Sequence, residues 1–249
     1  NLRYGDFKAR ISGYYTRIYD QSKVISYYDD VAATFTNFAM SGIDKVHFGL
    51  EAAVSIPIYH TLALNGAVSW GQYTYDSNPY YLQTQDNSGD IVSDGYVYWK
   101  DFRVESTPQT AVNVGLSWRS NNNIYLSADF NYYNNMYLSM SPIYRTDAVI
   151  TGGMAPGDIE HLRRQEKFDS AYTLNASIGK NWYIHRKYTL GFSLDVKNIL
   201  NNQDIKTGGY EQTRLSKNTE TTVTTYQAFD SKYFYMFGTT YYLNLYFRF

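Results

Sequence analysis

The chain ends with Tyr-Tyr-Leu-Asn-Leu-Tyr-Phe-Arg-Phe at positions 241–249. Successive side chains of a β-strand point to opposite faces, so alternation of apolar and polar residues predicts a strand with two unlike faces. Here the apolar face carries Tyr241, Leu243, Leu245, Phe247 and Phe249. The stretch ends on an aromatic residue, whereas a soluble domain usually ends in a frayed polar tail. We therefore expect it to be the closing strand of a membrane β-barrel.

Seven other stretches alternate in the same way. The clearest is 45–59, where every second residue from Val46 to Ile58 is apolar. At ~3.3 Å per residue and a tilt of ~45°, such a strand covers roughly 30 Å, the thickness of the apolar part of a bilayer. With the closing strand there are eight predicted strands, and the remaining six lie in 7–19, 62–71, 110–118, 124–133, 172–179 and 188–196.

Long and short connections alternate between these strands. Short turns are predicted near 60–61, 120–123 and 181–186, and long polar loops at about 20–44, 76–108, 138–169 and 199–231. Outer-membrane barrels place short turns on the periplasmic side and long loops outside, with Trp and Tyr at both interfaces. We therefore predict an all-β, antiparallel up-and-down transmembrane β-barrel that spans the whole chain, 1–249, with external long loops and a periplasmic C-terminus.

The composition excludes several classes of protein. A net charge of −1 gives no field that would attract nucleic acid, and the absence of cysteine excludes disulfides and thiolate metal sites. A mean hydropathy of −0.46 is typical of soluble proteins, but alternating membrane strands average to such values. The alternative fold is a soluble β-sandwich or propeller. We favour the membrane barrel because one face of all eight strands is nearly free of charge, with Arg17 as the exception.

The polar face predicts a wide barrel. It consists mainly of Ser, Gly, Asn, Thr and Ala, which are too small to fill the interior of an eight-stranded barrel. We therefore expect further strands before Asn1. Pro57 lies on this face of an otherwise regular strand, which predicts a β-bulge near the periplasmic rim.

Four stretches resemble the C-terminal half of the barrel of TonB-dependent outer-membrane receptors of Gram-negative bacteria. They are residues 42–51, 190–202, 208–214 and 233–249, and the most specific are Val-Lys-Asn-Ile-Leu at 196–200 and the C-terminus. The resemblance implies the last eight strands of a barrel of about 22 strands, with a plug domain and a TonB-binding motif outside this chain. It also implies active import of a scarce nutrient: a ferric siderophore, haem or another metal complex, an oligosaccharide or a peptide.

The same resemblance implies partners for the chain. These are outer-membrane lipid and lipopolysaccharide, TonB acting through the plug, and the barrel-assembly machinery. Barrels of this kind carry a terminal aromatic signal for assembly, which here corresponds to Tyr241, Leu245, Phe247 and Phe249. Pairing of an exposed terminal strand by β-augmentation gives this role a physical basis.

Aromatic residues in the loop 76–108 are the candidate ligand-binding residues. Tyr and Trp offer flat apolar contact with a polar edge, which suits sugar rings, siderophore aromatics or a protein surface. The alternative is that they pack the loop against its neighbours. The basic run 163–167 in the next loop is interpreted as an ordinary solvated segment. The candidates are Tyr80, Tyr81, Tyr96, Tyr98 and Trp99.

No catalytic or metal site is predicted. The four histidines are scattered, and His47 and Glu51 form the nearest approach to a ligand pair, four residues apart on the polar face. We interpret them as polar contacts of the lumen. The Gly-rich stretch 152–157 is interpreted as a loop, since it neither follows a strand nor opens a helix. We expect no enzyme and no cofactor. A passive porin or adhesin-like barrel is the second hypothesis, and a membrane enzyme is the third.

Overall fold

The computed structural model describes residues 1–30, 33–105, 107–152, 156–185, 187–218 and 225–249. Every pair of strands in these ranges is antiparallel, so the prediction of an all-β antiparallel fold is confirmed. The helices are a 3₁₀ turn at Ile143–Arg145, α1 (Asp147–Ile150) and α2 (Pro156–Arg163). The strands are β1 (Leu2–Tyr4), β2 (Phe7–Asp29), β3 (Thr34–Tyr59), β4 (Leu62–Tyr75), β5 (Tyr80–Gln85), β6 (Ile91–Tyr96), β7 (Thr110–Arg119), β8 (Ile124–Asn134), β9 (Ala171–Ile184), β10 (Tyr188–Lys197), β11 (Lys206–Tyr210), β12 (Leu215–Asn218), β13 (Thr225–Ala228), β14 (Lys232–Tyr235) and β15 (Thr240–Arg248).

The main sheet is a meander with the order β1-β2-β3-β4-β7-β8-β9-β10-β15. The eight predicted strands correspond to β2, β3, β4, β7, β8, β9, β10 and β15, each next to its predicted neighbours. β1 and β15 lie at opposite edges, and the sheet formed by the described residues is open between them. The pairing of β3 with β4 shifts register between Pro57 and Tyr59, so the irregularity predicted at Pro57 is present.

One face of this sheet, which we call the apolar face, is exposed along its whole width. Its residues include Ile11 (76% exposed), Leu50 (57%), Leu116 (46%) and Leu245 (71%), which lie on strands from one edge of the sheet to the other. Aliphatic side chains in such numbers on one face form a surface that water solvates poorly. In the described residues, no helix is long and apolar enough to cross a membrane.

The apolar face carries two charged residues near its ends. Arg17 forms an ion pair with Asp76, with 2.6 Å between the guanidinium and the carboxylate. β9 continues to Ile184, beyond its predicted end, and this extension adds Lys180, whose Nζ lies 5.2 Å from the ring centroid of Trp182. Long cationic side chains near the ends of a membrane strand can extend their charged groups towards the polar interface.

The interval 20–44, predicted as a loop, is mostly strand. β2 runs on to Asp29 and β3 begins at Thr34, so the two strands form a very long hairpin. The alternation of apolar and polar residues that predicted the strand at 45–59 reverses its phase within the interval 20–44. Phe48 and Leu50 are exposed in the first part of the hairpin, whereas the even-numbered Phe38 and Met40 are buried beyond it.

A β-bulge causes this reversal. The register of β2 against β3 shifts twice between Ile18 and Lys23, and Asp20 (φ 52°) and Gly42 (φ 73°) adopt left-handed backbone conformations there. An extra residue in one strand turns all later side chains to the opposite face. Side chains therefore alternate between the two faces on both sides of the bulge, but odd and even positions exchange faces across it.

Replacing Gly42 with alanine tests this bulge. No atom lies within 4 Å of a Cβ added at Gly42, so the substitution has no steric cost and the left-handed backbone alone opposes it. We expect a loss of about 1–2 kcal/mol in the free energy of unfolding. Chemical denaturation of the Gly42→Ala protein measures this loss. An unchanged stability would show that the left-handed bulge is not required.

Beyond the bulge, the remaining long connections fold onto the hairpin and form what we call the distal layer (residues 21–41, 76–108, 136–170 and 199–239, where described). The predicted loops thus contain β5, β6, the 3₁₀ turn, both helices and β11 to β13, and β14 lies just beyond the predicted end of the last loop. Part of the stretch 152–157 lies outside the described residues, and α2 begins at Pro156. Ile43 and Tyr75 of the adjoining strands β3 and β4 complete the main buried core, whose other members are Phe38, Met40, Tyr81, Val97, Trp99, Met140, Ile143, Tyr144, Val149, Leu162 and Leu215.

Candidate functional site

The face of the main sheet opposite to the apolar face, here called the polar face, is a wall of small polar side chains bonded to one another. Asn65 accepts a hydrogen bond from Ser55 (2.8 Å) and donates one to Ser117 (3.1 Å). Asn113 donates to the side-chain oxygen of Asn131 (2.9 Å). Side-chain pairs across neighbouring strands stabilise a sheet. Across β4, β7, β8 and β9 the wall therefore consists mainly of small polar groups that pair with each other, with Asp129 as a charged residue in the middle of β8.

Tyrosine rings on the polar face lie over glycines of the neighbouring strand. Tyr125 is paired with Gly179, and Tyr246 with Gly191, in registers that place each ring directly over its glycine. The Tyr246 hydroxyl also donates to the side-chain oxygen of Asn181. A glycine without a side chain leaves the room that a flat-lying ring needs, and the ring in turn covers the exposed backbone.

His47 and Glu51 lie on the polar face of β3, as predicted. His47 packs on Tyr73 of β4 with 4.8 Å between ring centroids, and its Nε2 is buried without a hydrogen-bond partner. In the part of the chain that the structure describes, no three His, Cys, Asp or Glu side chains converge on a possible metal position. The contact of His47 with Tyr73 could not be predicted from the sequence, because no sequence spacing links residues on adjacent strands.

The five candidate ligand-binding aromatics separate into two groups. Tyr81 and Trp99 are each only 1% exposed and belong to the core of the distal layer. These two residues therefore pack the loop against its neighbours and are not available to a ligand. Tyr81 stacks on Phe38 with 4.6 Å between centroids. Tyr80 and Tyr96 are 40% and 53% exposed, and they alone of the five present a large part of their rings to solvent.

Tyr80 and Tyr96 form a compact exposed pair on the β5–β6 hairpin. They are directly opposite across the two strands, with 5.7 Å between centroids in a T-shaped arrangement. The Tyr80 hydroxyl donates to the Asp94 carboxylate at 2.6 Å, and this hydrogen bond raises the pKa of Tyr80. Tyr98 is half-buried, and the guanidinium of Arg163 lies 5.9 Å from its ring centroid. The arrangement presents two aromatic edges beside a carboxylate.

A buried ion pair ties the distal layer together, and the sequence analysis did not find it. Arg145 has no exposed side-chain surface and donates two hydrogen bonds to Glu211, at 2.5 and 2.9 Å. It also donates to the carbonyl oxygens of Ser141 (3.0 Å) and Arg164 (3.3 Å). Next to it, burial raises the pKa of Tyr144 to about 12. These contacts join the connection before β9 to the connection after β10.

Three of the four predicted assembly-signal residues lie on the edge strand β15, and Phe249 follows directly after it. Tyr241, Leu245, Phe247 and Phe249 are 71%, 71%, 56% and 93% exposed, all on the apolar face. β15 pairs with β10 on one side only, and the described residues place no strand along its other edge. Phe247 stacks on Tyr188 of β10 with 5.8 Å between centroids.

No protein-family model matches the chain, and no curated protein matches it. The class of the protein is therefore described from its fold and its site. The chain is an antiparallel β-protein with an exposed apolar face, a hydrogen-bonded polar face and a packed layer at one end of the sheet.

Proposed function

We propose that this chain is the C-terminal part of the barrel of a TonB-dependent transporter in the outer membrane of a Gram-negative bacterium. The observation that carries the proposal is the two-sided sheet. Its apolar face is exposed across the full width, and its polar face consists mainly of small polar side chains that are hydrogen bonded to one another. Lipid on one side and a water-filled or protein-filled lumen on the other account for both faces.

The connections support a membrane orientation for this sheet. The turns at 60–61 and 120–123 are short and lie at one end of the sheet, whereas the distal layer lies at the other. In outer-membrane barrels the elaborate loops are external and the short turns periplasmic. The distal layer is then the external surface that first meets a nutrient, and β15 ends on the periplasmic side.

A ligand would contact the exposed part of the distal layer. Tyr80, Tyr96 and Tyr98 are the remaining candidates of the predicted set, because the other two aromatics are buried. Aromatic edges beside the Asp94 carboxylate suit a ligand that combines flat apolar surface with hydrogen-bond donors. The cargo class consistent with this surface includes a metal complex, an oligosaccharide or a peptide.

Growth on candidate nutrients, with the gene deleted and with TonB absent, tests the proposed function. We expect deletion to impair growth on at least one scarce metal complex, oligosaccharide or peptide, and loss of TonB to give the same defect. A defect that does not depend on TonB would reject active import and favour the passive porin or adhesin-like barrel.

Deleting Phe249 tests the proposed assembly signal. We expect less folded barrel in the outer membrane, because the terminal aromatic on an unpaired edge is the part that assembly machinery can bind by strand addition. Heat-modifiable mobility on gels of outer-membrane fractions measures the folded form. Replacing the polar-face residue Tyr242 with phenylalanine is the control, since it keeps the apolar face and the chain end intact. Unchanged folded barrel after deletion of Phe249 would reject the signal.

A further inference from the structure

Three exposed cationic side chains lie next to one another on the polar face, on β1 and the start of β2. Arg3 of β1 is the direct partner of Lys8 of β2. Arg10 is two residues beyond Lys8, so it points to the same face about 7 Å further along the strand. Like charges directly opposite each other across two strands are destabilising. The arrangement therefore weakens the sheet unless an anion neutralises it.

The three cations line one groove, which has a volume of about 530 Å³. Lys8 is opposite Ser55 of β3, and Arg10 is opposite Ala53. These partners have short side chains, as do the residues of β4 that continue the floor, so the space above the strands is open to a ligand. No carboxylate lines this groove in the part of the chain that the structure describes.

The positive charge of the groove is not neutralised within the described ranges. The ion pairs found there all involve other side chains. Arg10 donates from Nε to the Ser12 hydroxyl at 3.1 Å, which orients the guanidinium and leaves its terminal nitrogens as donors. Other polar groups of the same face are paired with each other. The hydroxyl oxygens of Tyr14 and Tyr73, for example, lie 2.5 Å apart.

We propose that Arg3, Lys8 and Arg10 form a binding site for a multivalent oxyanion of the phosphate class. A guanidinium can bind two oxygens of such an anion at once, and an ammonium contributes a point charge. The spacing is about 5 Å between the Cβ atoms of a direct pair and about 7 Å along β2, which suits two linked phosphate groups. A cleft lined by charge of one sign also raises the local concentration of an oppositely charged ligand.

Two carboxylates border the groove without belonging to it. Asp6 lies in the turn before β2, and Glu51 is opposite Ser12, beyond Arg10. Neither lines the groove, and in the described residues neither forms an ion pair with the three cations. Their negative charges repel an anion on either side and so favour the position between them.

The inference goes beyond the proposed import. The groove lies towards the end of the sheet that carries the short turns, whereas a nutrient would first contact the distal layer at the other end. Binding of an anion in the groove therefore requires neither transport nor TonB, and it is measured on the isolated protein.

Calorimetric titration with inorganic pyrophosphate tests the site, with the full-length protein in an uncharged detergent. We expect saturable binding at low ionic strength and weaker binding at high ionic strength, because the groove is open to solvent. Acetate, which carries a single charge, should not displace pyrophosphate at the same concentration. Pyrophosphate should also raise the unfolding temperature of the protein, since the groove exists only in the folded state.

Variants assign the binding to the groove. Arg3→Gln, Lys8→Gln and Arg10→Gln should each raise the Kd for pyrophosphate about tenfold, the usual effect of losing one charged hydrogen-bond donor. The double variant Lys8→Gln/Arg10→Gln should show neither binding nor a thermal shift. Arg119→Gln is the matched control, because Arg119 is an exposed arginine at the end of β7 that does not line the groove. Heat-modifiable mobility confirms that each variant is folded.

Three results would overturn the proposal. The first is the absence of saturable binding to the unaltered protein. If the double variant then also unfolds at a lower temperature, the cations contact acidic side chains elsewhere in the full-length protein instead. The second is equal affinity in the double variant, and the third is an equal loss in Arg119→Gln, which would indicate attraction by general charge. Loss of TonB-dependent growth is measured separately, so the site and the proposed import can each fail without the other.

Discussion

Replacing Arg145 with methionine is expected to destabilise the distal layer by about 3–5 kcal/mol, the usual effect of removing one partner of a buried ion pair. The Arg145 side chain has no exposed surface, and that of Glu211 is 11% exposed. Without the guanidinium, the Glu211 carboxylate stays in a poorly solvated position, where the Ser141 amide, at 2.8 Å, is its one remaining hydrogen-bond donor among the described residues. Two carbonyl oxygens, of Ser141 and Arg164, lose their donor as well.

The Arg214–Asp30 pair provides a matched control in the same layer. Its two hydrogen bonds are 2.9 Å each, as regular as those of Arg145, but the side chains are 49% and 25% exposed. Arg214 lowers the pKa of Asp30 through these hydrogen bonds. Solvent screens an exposed pair, so Arg214→Met should change the stability of the layer little.

Hydrogen exchange distinguishes the two variants. In Arg145→Met we expect faster exchange of amides in 138–146 and 206–211, with protected amides retained in β7 and β8 of the main sheet. The double variant Arg145→Met/Glu211→Leu should recover part of the protection, because it removes the unpaired carboxylate. Equal exchange in Arg145→Met and Arg214→Met would contradict the role assigned to the buried pair.

Replacing Gly179 with alanine is expected to destabilise the main sheet by about 3 kcal/mol, the upper end of the range for an overpacked site. A Cβ at Gly179 would overlap the ring of Tyr125 and would lie 2.7 Å from the carbonyl oxygen of Phe192. Tyr125 can rotate away at the cost of uncovering the strand. The Phe192 carbonyl belongs to the backbone of β10 and can move only if the β9–β10 pairing is distorted.

Gly13→Ala is the control for this substitution. Gly13 is also a strand glycine, but a Cβ there would meet only ordinary contacts, with the Leu50 side chain at 3.4 Å and the Gly49 carbonyl oxygen at 3.9 Å. We expect its stability to be unchanged or slightly higher, since alanine is less flexible than glycine in the unfolded chain. Urea unfolding of both proteins in detergent compares them. A Gly179→Ala protein as stable as Gly13→Ala would show that Tyr125 does not need the glycine.

The sequence predicted the strands of the main sheet because a two-residue period is local. In 45–59 the polarity of each residue indicates the face of the sheet on which it lies. The pairing of neighbouring strands in a meander then follows from their order in the chain. The same reasoning failed at 20–44, where one left-handed residue in each strand reversed the phase. Gly42 lies within this interval, but a glycine in a bulge and a glycine in a loop look alike without knowledge of the partner strand.

The distal layer and the polar wall were less accessible to sequence reasoning. The exposed and buried aromatics of 76–108 have the same composition, and only the packing of 3₁₀ turn, helices and hairpins separates Tyr81 from Tyr80. Arg145 and Glu211 are 66 residues apart, and Tyr14 and Tyr73 are 59 apart. Contacts of such separation are set by tertiary structure, so no local pattern indicates them.

Spin labels on β7 test the central claim, that the apolar face lies in lipid and the polar face in a lumen. The chain has no cysteine, so a label at an introduced cysteine is unique within it. The full-length protein is labelled and placed in bilayers. We expect labels at Val114 and Leu116 to be accessible to oxygen, which dissolves in lipid. We expect labels at Asn113 and Ser117 to be accessible to a water-soluble nickel chelate. A period of two along the strand, opposite for the two reagents, is the predicted result. Equal access of the nickel chelate to all four positions would contradict the account.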